Sequence, residues 1–425
     1  MKSILSLGSL ALVNVILLFL IHWFILVTIG PGEETDAFFA GMAVPQLILA
    51  ILSASLMQIL VPLLAVQEGE DFHRNTWGFF VFVGGGLSVL ALILYLLGPF
   101  WVPFFVPGFS AAGKELMLDL TRIQLIGMIF TALSSVLWAV YHSRKYFLWV
   151  AFVPVFTNAA GLGLLIWALP RYGIRSAAWV SVLAVVLQTL LLLPVLGIYR
   201  KPNWKSNIYR EAWIQIKPLL LGTSYYKTDS LIDRFLSSMG PVGGLSLFYL
   251  GQQVYGAVNQ VINKSIVAPM VPLLAEHANN GNWSEFRRTY RERLFWIIGI
   301  TGGGYLLFLL FGNSLLRLVL VSREVSEQDL SLLWWIMISL VGAFIGGAAG
   351  QITSAAFYTK GDTETPTKLG VWTYTFYIPI KILFFWKYSL IGLAVSTTLF
   401  VTVNCLLQIY VLGKFSPERR RMSPT

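Results

Sequence analysis

The sequence predicts an all-α polytopic membrane protein of about twelve transmembrane helices, arranged as two parallel six-helix lobes around a central cavity. Three observations predict it. The 425-residue chain is 56% hydrophobic and only 12% charged, a balance that a water-soluble core does not account for. Its apolar residues form continuous Leu-rich runs of about 20 residues, the length that crosses a bilayer as a helix, and not the short alternating segments of a β-barrel. The block VPLLA occurs at 61–65 and again at 271–275, close to half a chain apart.

The runs lie at about 4–29, 37–65, 76–98, 116–140, 147–169, 176–198, 213–238, 244–274, 294–315, 331–357, 369–386 and 390–412. The first follows a single charge, Lys2, but is too long for a secretory signal and lacks a small-x-small cleavage pattern, so it is a retained helix. His22 within it reads as a packing residue. The second follows the Gly-Pro-Gly turn at 30–32 and opens with Glu33, Glu34 and Asp36. Asp36 has two readings, a first-turn acid that complements the helix dipole or a carboxylate at the mouth of a cavity. Asp119 and Arg122 in the fourth span are expected to pair with each other. In the fifth, Pro154 and Asn158 predict a local break or an interhelical hydrogen bond.

Residues 1–199 then form an N-terminal lobe, 200–212 a charged linker, 213–414 a C-terminal lobe and 415–425 a basic tail. An even number of spans per lobe sends both into the membrane in the same direction, so the repeat axis runs along the membrane normal, as in transporters that alternate access. Aligned without gaps, 35–65 and 245–275 share Phe38/Phe248, Gly41/Gly251, Val44/Val254, Ser55/Ser265 and the whole VPLLA block.

The seventh span contains KTDSLIDRFLSSMGPVGG, 227–244. Asp229 and Asp233 lie one turn apart, with Lys227 and Arg234 close by. Either these groups pair internally, or they form a gated polar path in which a carboxylate takes up a cation or proton; intramembrane ionisable groups are functional candidates. In the eighth span Gln252, Asn259 and Asn263 replace the apolar or small Met42, Leu49 and Ser53 of the first copy and, with Gly256, share one helix face. Gln253, Gln260 and Lys264 lie on the adjoining face. So many polar groups are costly toward lipid, which leaves a polar seam against neighbouring helices or a solvated cavity that holds a substrate. Lys381 in the eleventh span is expected to snorkel to the interface.

The net charge of +10 comes mainly from clusters at 200–217 (Arg200, Lys201, Lys205, Arg210, Lys217), 287–293 (Arg287, Arg288, Arg291, Arg293) and the tail. Their spacing follows the positive-inside rule with both termini cytoplasmic, and they suit anionic lipid headgroups. No nucleic-acid-binding fold accompanies them, so a nucleic-acid partner is not expected. The single Cys405 excludes an intramolecular disulfide framework, and the four histidines show no metal spacing. There is no P-loop and no GxSxG, so neither a catalytic site, a metal nor a cofactor is expected, and the chain reads as a transporter and not an enzyme.

The ordered set ETDAFFAGMAVPQLI (34–48), FVPGFS (105–110), the region of Pro154 and Asn158, KTDSLIDRFLSSMG (227–240) and LSLFYLGQQVYGAVNQVI (245–262), with the PLLA helix ends, resembles the MviN/MurJ family of lipid II flippases, within the superfamily of multidrug and polysaccharide-lipid exporters. The resemblance spans most of 1–360 and implies transport of an undecaprenyl-diphosphate-linked glycan from the cytoplasmic to the outer leaflet of the bacterial inner membrane by alternating access. It implies membrane lipids and proteins of cell-envelope or exopolysaccharide biosynthesis as partners. It also places Asp36, and Asp233 with Ser237, in the family's pattern.

Departures accompany it. Helix one has no arginine, the family's PNLLRR stretch reads PQLILA (45–50), its YADR pattern reads Tyr249-Leu250-Gly251-Gln252-Gln253, and the spans do not include two further helices common at the family's C-terminal end. A carried diphosphate needs positive charge or strong donors. Lys227, Arg234 and Lys264 are the candidates for a relocated charge. Export of a capsule or exopolysaccharide lipid-linked oligosaccharide, cation-coupled multidrug export and a non-transporting membrane scaffold are the alternative readings.

Overall fold

The computed structural model describes residues 2–320 and 324–414. Among them every regular element is a helix. Among the described residues nine stretches are long and apolar enough to cross a membrane, and the last, Glu364–Gly413, holds two helices folded about Ser389. The basic tail at 415–425 lies outside the described residues.

The chain divides into two compact units, 1–246 and 247–425. This division falls later than the expected lobe boundary at 212/213, and the reason is the packing of the seventh span. Its helices α8 (Asn207–Lys227) and α9 (Asp229–Ser238) both pack on α3 (Ala43–Ala65) of the N-terminal unit.

The N-terminal unit also contains α1 (Lys2–Ile29), α2 (Glu33–Gly41), α4 (Gly69–Phe105), α5 (Ala111–Ser143), α6 (Phe147–Tyr172) and α7 (Ile174–Leu192), the last prolonged by a 3₁₀ turn at Leu193–Leu196. Helix α5 is the hub, touching α2, α3, α4, α6 and α7. Its sequence explains this: Ala132, Ser134, Ser135 and Ala139 are small and buried, so neighbouring backbones approach closely where lipid offers no hydrophobic drive. Ser110 caps its start, accepting from the Gly113 N–H at 3.0 Å. Asn158 on α6 donates to Asn14 on α1 at 2.8 Å, the interhelical bond expected of that residue. His22 packs edge-on against Phe39, 5.7 Å between ring centroids. The expected pairing of Asp119 with Arg122 does not form. Asp119 accepts instead from Arg175 on α7 at 2.9 Å, while the Arg122 guanidinium lies over the Tyr95 ring at 4.6 Å, a contact that suits an arginine near an aromatic face.

The C-terminal unit is built on α10 (Gly244–Ile262) from Leu247 onward, a π-helical turn at Asn263–Val267, α11 (Ala268–Asn279), α12 (Trp283–Leu320), α13 (Glu327–Ser339), α14 (Val341–Thr359) and α15 (Glu364–Gly413). Helix α14 is its centre. A Cβ at Gly342 would come within 2.4 Å of the Thr402 hydroxyl, and one at Gly346 within 3.3 Å of Val401, so these two glycines set a close α14–α15 crossing of the small-xxx-small kind. Ser389, at φ 50°, turns the chain between the two halves of α15, and Gly392 lies where any side chain would strike the Phe384 carbonyl. At the end of α14 Lys360 is buried beside the Trp283 and Phe286 rings; burial, with the neighbouring Arg287, pushes its ammonium down to about 8.

The two VPLLA copies end α3 and lie within α11, with Pro62 and Pro272 inside helices and Leu64 and Leu274 fully buried in the core of their own unit. The segments before them differ. The first is interrupted at Met42, between α2 and α3, and the second carries the π turn, which widens one helical turn of the eighth span without breaking it.

Lys381 does not snorkel. It is fully buried in α15, its ammonium 5.0 Å from the centre of the Tyr377 ring, which stacks on Phe400 and whose hydroxyl hydrogen-bonds Thr397 at 3.1 Å. The aromatic face replaces water as its neighbour. Lys381→Ala leaves a cavity and an emptied ring face and is expected to cost about 2–5 kcal/mol, whereas Lys381→Met, which keeps the volume, loses less. Thermal unfolding of both variants in detergent checks this order; equal losses would show that the charge, and not the packing, holds the site.

Candidate functional site

Two clusters emerge, one in each unit. The first starts from the three loop motifs of the N-terminal unit. Gly30-Pro31-Gly32 turns the chain into α2, and Thr35 locks the turn: its hydroxyl donates to the Gly30 carbonyl at 3.0 Å and accepts from the Gly32 N–H at 3.0 Å. One residue on, the Asp36 carboxylate points away from its own helix. The N–H of Gly243 donates to Oδ2 at 2.8 Å, and that of Ser246 donates to Oδ1 at 2.7 Å. Asp36 is 3% exposed, so both oxygens are spent on the start of α10, whose first N–H groups lack intrahelical partners. Of the two readings of Asp36, the geometry is that of a cap, but one placed on a helix far along the chain.

Gly243 has φ +81°, and a Cβ there would meet Pro31 at 2.7–2.9 Å. Gly108 of FVPGFS would meet the Ser238 carbonyl at 2.2 Å, and Glu33 accepts from the Ser110 N–H at 3.2 Å. The motifs at 30–36, 105–110 and 238–246 therefore interlock at one end of the unit, by contacts too close for any residue but glycine at 243 and 108.

The other candidates of the seventh span lie on α8 and α9. The Lys227 ammonium donates to the Ala50 carbonyl on α3. Asp229 is half-buried, while Asp233, Arg234 and Ser237 of α9 are all buried.

The second cluster grows from α10. Its polar face turns toward α13 and α14: the Tyr255 hydroxyl donates to the Met337 carbonyl at 2.6 Å, Asn259 to the Ala343 carbonyl at 3.3 Å and Asn263 to the Gln351 side chain at 2.8 Å. This is the polar seam. At its Asn263 end the helices part around a cavity of about 550 Å³, opened by Gly346, Gly347 and Gly350 on α14. Gln351, Ser354, Asn404 and Gln408 add polar groups to its wall, with Ser354 donating to Gln408 at 2.9 Å. Gln252 and Gln253 are half-buried further up α10, and Gln260 and Lys264 are exposed on its other side.

The residues that sequence reasoning missed are Gln351, Ser354, Asn404 and Gln408. The signal was present, since Asn404 and Gln408 stand one turn apart in a span without charged residues. Among the described residues the cavity lining carries four side-chain amides, the hydroxyls of Ser354 and Tyr358 and the Cys405 thiol, and no charged group. Amides offer donors and acceptors together, which matches sugar hydroxyls and amide-bearing substituents and gives no positive charge to a diphosphate. Lys264, next to Asn263, is the nearest cation in sequence.

Comparison with known proteins gives this geometry a context. The family model described as lipid II flippase MurJ matches residues 25–418. A probable lipid II flippase MurJ of Vibrio cholerae is 23% identical over 406 residues, covering 89% of this chain and 76% of that protein. The lipid II flippase MurJ of Burkholderia cenocepacia is 22% identical over 368 residues, 80% of this chain and 70% of its own. Among solved structures, a lipid II flippase MurJ in an inward closed conformation superposes with a TM-score of 0.83 at 18% identity, covering 97% of this chain and 88% of that one. An inward-facing multidrug transporter of the MATE family gives 0.72 at 18% identity, covering 98% and 96%. The fold is thus shared with a MATE-family transporter as well, while the sequence match shows the family: the chain belongs to the lipid II flippase MurJ family.

Proposed function

We propose that this chain moves an undecaprenyl-diphosphate-linked glycan precursor of the lipid II kind from the cytoplasmic to the outer leaflet of the bacterial inner membrane, with both termini in the cytoplasm. The observation that carries the proposal is the family match over 25–418, nearly the whole chain. The amide-lined cavity of the C-terminal unit supports it: a wall of Asn263, Gln351, Asn404 and Gln408 receives a hydroxylated headgroup while the prenyl tail remains in lipid. Alternating exposure of the binding groups to the two sides carries the headgroup across, and the Asp36 clasp holds the start of α10 in one of the alternating states.

One observation favours a second reading. The cavity wall has no cation and helix one has no arginine, so a lipid-linked oligosaccharide of capsule or exopolysaccharide type, recognised through its sugars, fits the same wall. A leaflet-resolved translocation assay in vesicles separates the readings by offering lipid II, an undecaprenyl-linked oligosaccharide and a cationic dye. Movement of lipid II is the expected result. Movement of the oligosaccharide alone selects the second reading, and movement of the dye alone overturns both.

A further inference from the structure

A groove in the N-terminal unit plays no part in the sites above. It has a volume of about 470 Å³ and lies between α3, α4 and α8. Leu56, Ile59 and Leu60 of α3 face Phe79, Val83 and Leu87 of α4, and Trp204, Tyr209, Arg210 and Trp213 surround one end. Along α4 the wall runs from Phe79 to Leu87, eight residues or about 12 Å at 1.5 Å per residue. Gly86 lines it, and a Cβ there would meet nothing within 4 Å, so a glycine holds space open. The mouth is preformed: the Tyr209 hydroxyl occupies the place of a Cβ at Gly78, and its ring rests on Phe79 and Trp204 at 5.0 and 5.5 Å.

We propose that this groove holds one acyl chain of a resident anionic glycerophospholipid, with its phosphate on Arg210. The α4 wall lies within the third apolar span, and the mouth lies in a basic stretch of the chain, 200–217. Trp204 and Trp213 supply the amphipathic aromatics that favour the headgroup level. Arg200 is already paired with Glu70 at 3.6 Å, whereas Arg210 is exposed and belongs to none of the ion pairs among the described residues. Glu211 is the one acid in the stretch and adjoins it.

Inside a bilayer every lipid tail competes for an apolar groove on nearly equal terms, so the choice among lipids rests on the head. A lone arginine at the mouth selects a phosphate of net negative charge over a zwitterionic one. The groove is far shorter than an undecaprenyl chain, which argues for an acyl chain as its occupant. The inference stands apart from the transported substrate.

The test reconstitutes the full chain in nanodiscs of phosphatidylethanolamine and phosphatidylglycerol at three to one, releases it in mild detergent and counts retained lipid by native mass spectrometry. Wild type is expected to retain phosphatidylglycerol in about fivefold excess over its bulk share, and Arg210→Gln to lose that excess. Gly86→Phe fills the groove from an open position and is expected to lose both lipids, while Gly86→Ala retains them. A phosphatidylglycerol with a diazirine on its acyl chain is expected to label peptides of α3, α4 and α8. Retention at bulk proportions, retention unaffected by Gly86→Phe, or displacement of phosphatidylglycerol by added undecaprenyl diphosphate would each overturn the assignment, the last by making the groove part of the substrate path.

Discussion

Asp36→Ala is expected to abolish most lipid II translocation and to lower the apparent melting temperature together. The carboxylate is buried and accepts from two backbone N–H groups, at 2.8 and 2.7 Å, so its removal orphans two donors in a place water does not reach. Each orphaned donor costs about 1–3 kcal/mol. The loss falls on the conformation in which the clasp is closed, and the bias from one orphaned donor alone shifts a two-state population by about 5- to 150-fold. Translocation is therefore expected to fall at least about tenfold, and the apparent Tm by about 5 °C or more. Asp36→Asn keeps one acceptor but aims an amide N–H at a donor, so it is expected between wild type and Ala.

Gly243 offers an independent check on the same contact. At φ +81° and with Pro31 at 2.7–2.9 Å from any added Cβ, Gly243→Ala pushes the turn off Asp36 without touching the carboxylate. If the clasp is one unit, the double variant is expected to cost no more than the worse single one, a non-additivity read by a double-mutant cycle. Full additivity would mean that Asp36 acts elsewhere, and wild-type translocation by Asp36→Ala would remove it from the mechanism.

The fold was legible because its cause is local. Continuous apolar runs and their Gly-Pro punctuation fix where helices begin and end in lipid, and the split of the final stretch at Ser389 falls where two spans were expected to meet. The seam on α10 was legible for the same reason, since Gln252, Asn259 and Asn263 share a face by helical spacing alone. Partners were less so. Asp36 looks like a first-turn acid until folding brings 243–246 onto it, and spacing carries no information about a helix 200 residues away. Asp119 and Arg122 have the spacing of a pair, yet each meets a better partner on a neighbouring helix, Arg175 and Tyr95. Lys381 lies near a span end, where snorkelling is the default, and its burial against the Tyr377 ring, itself stacked on Phe400, appears only in the folded chain. Three of the four amides of the cavity escaped notice because single Gln and Asn residues in separate spans acquire meaning only when α14 and α15 come together.

That cavity gives the second large effect, and one in which stability and function part. Gly350 lines the wall, and a Cβ there would meet nothing within 4 Å. Gly350→Leu therefore enters empty space on α14, relieves the cost of glycine in a helix by up to about 1 kcal/mol, and leaves the Asn263–Gln351 and Ser354–Gln408 hydrogen bonds in place. The melting temperature is expected to hold or rise slightly. Translocation is expected to drop at least about tenfold, because an isobutyl group occupies the volume that a sugar would take and offers no hydrogen bond in exchange. Gly350→Ala, which adds one methyl, is expected to retain most activity and serves as the size control. Gln351→Leu tests the chemistry apart from the volume: it leaves Asn263 without its acceptor and should weaken headgroup binding while Gly350→Ala does not. Vesicle translocation measured beside thermal unfolding decides the matter, since a Gly350→Leu protein that transports at the wild-type rate would place the substrate headgroup outside this cavity.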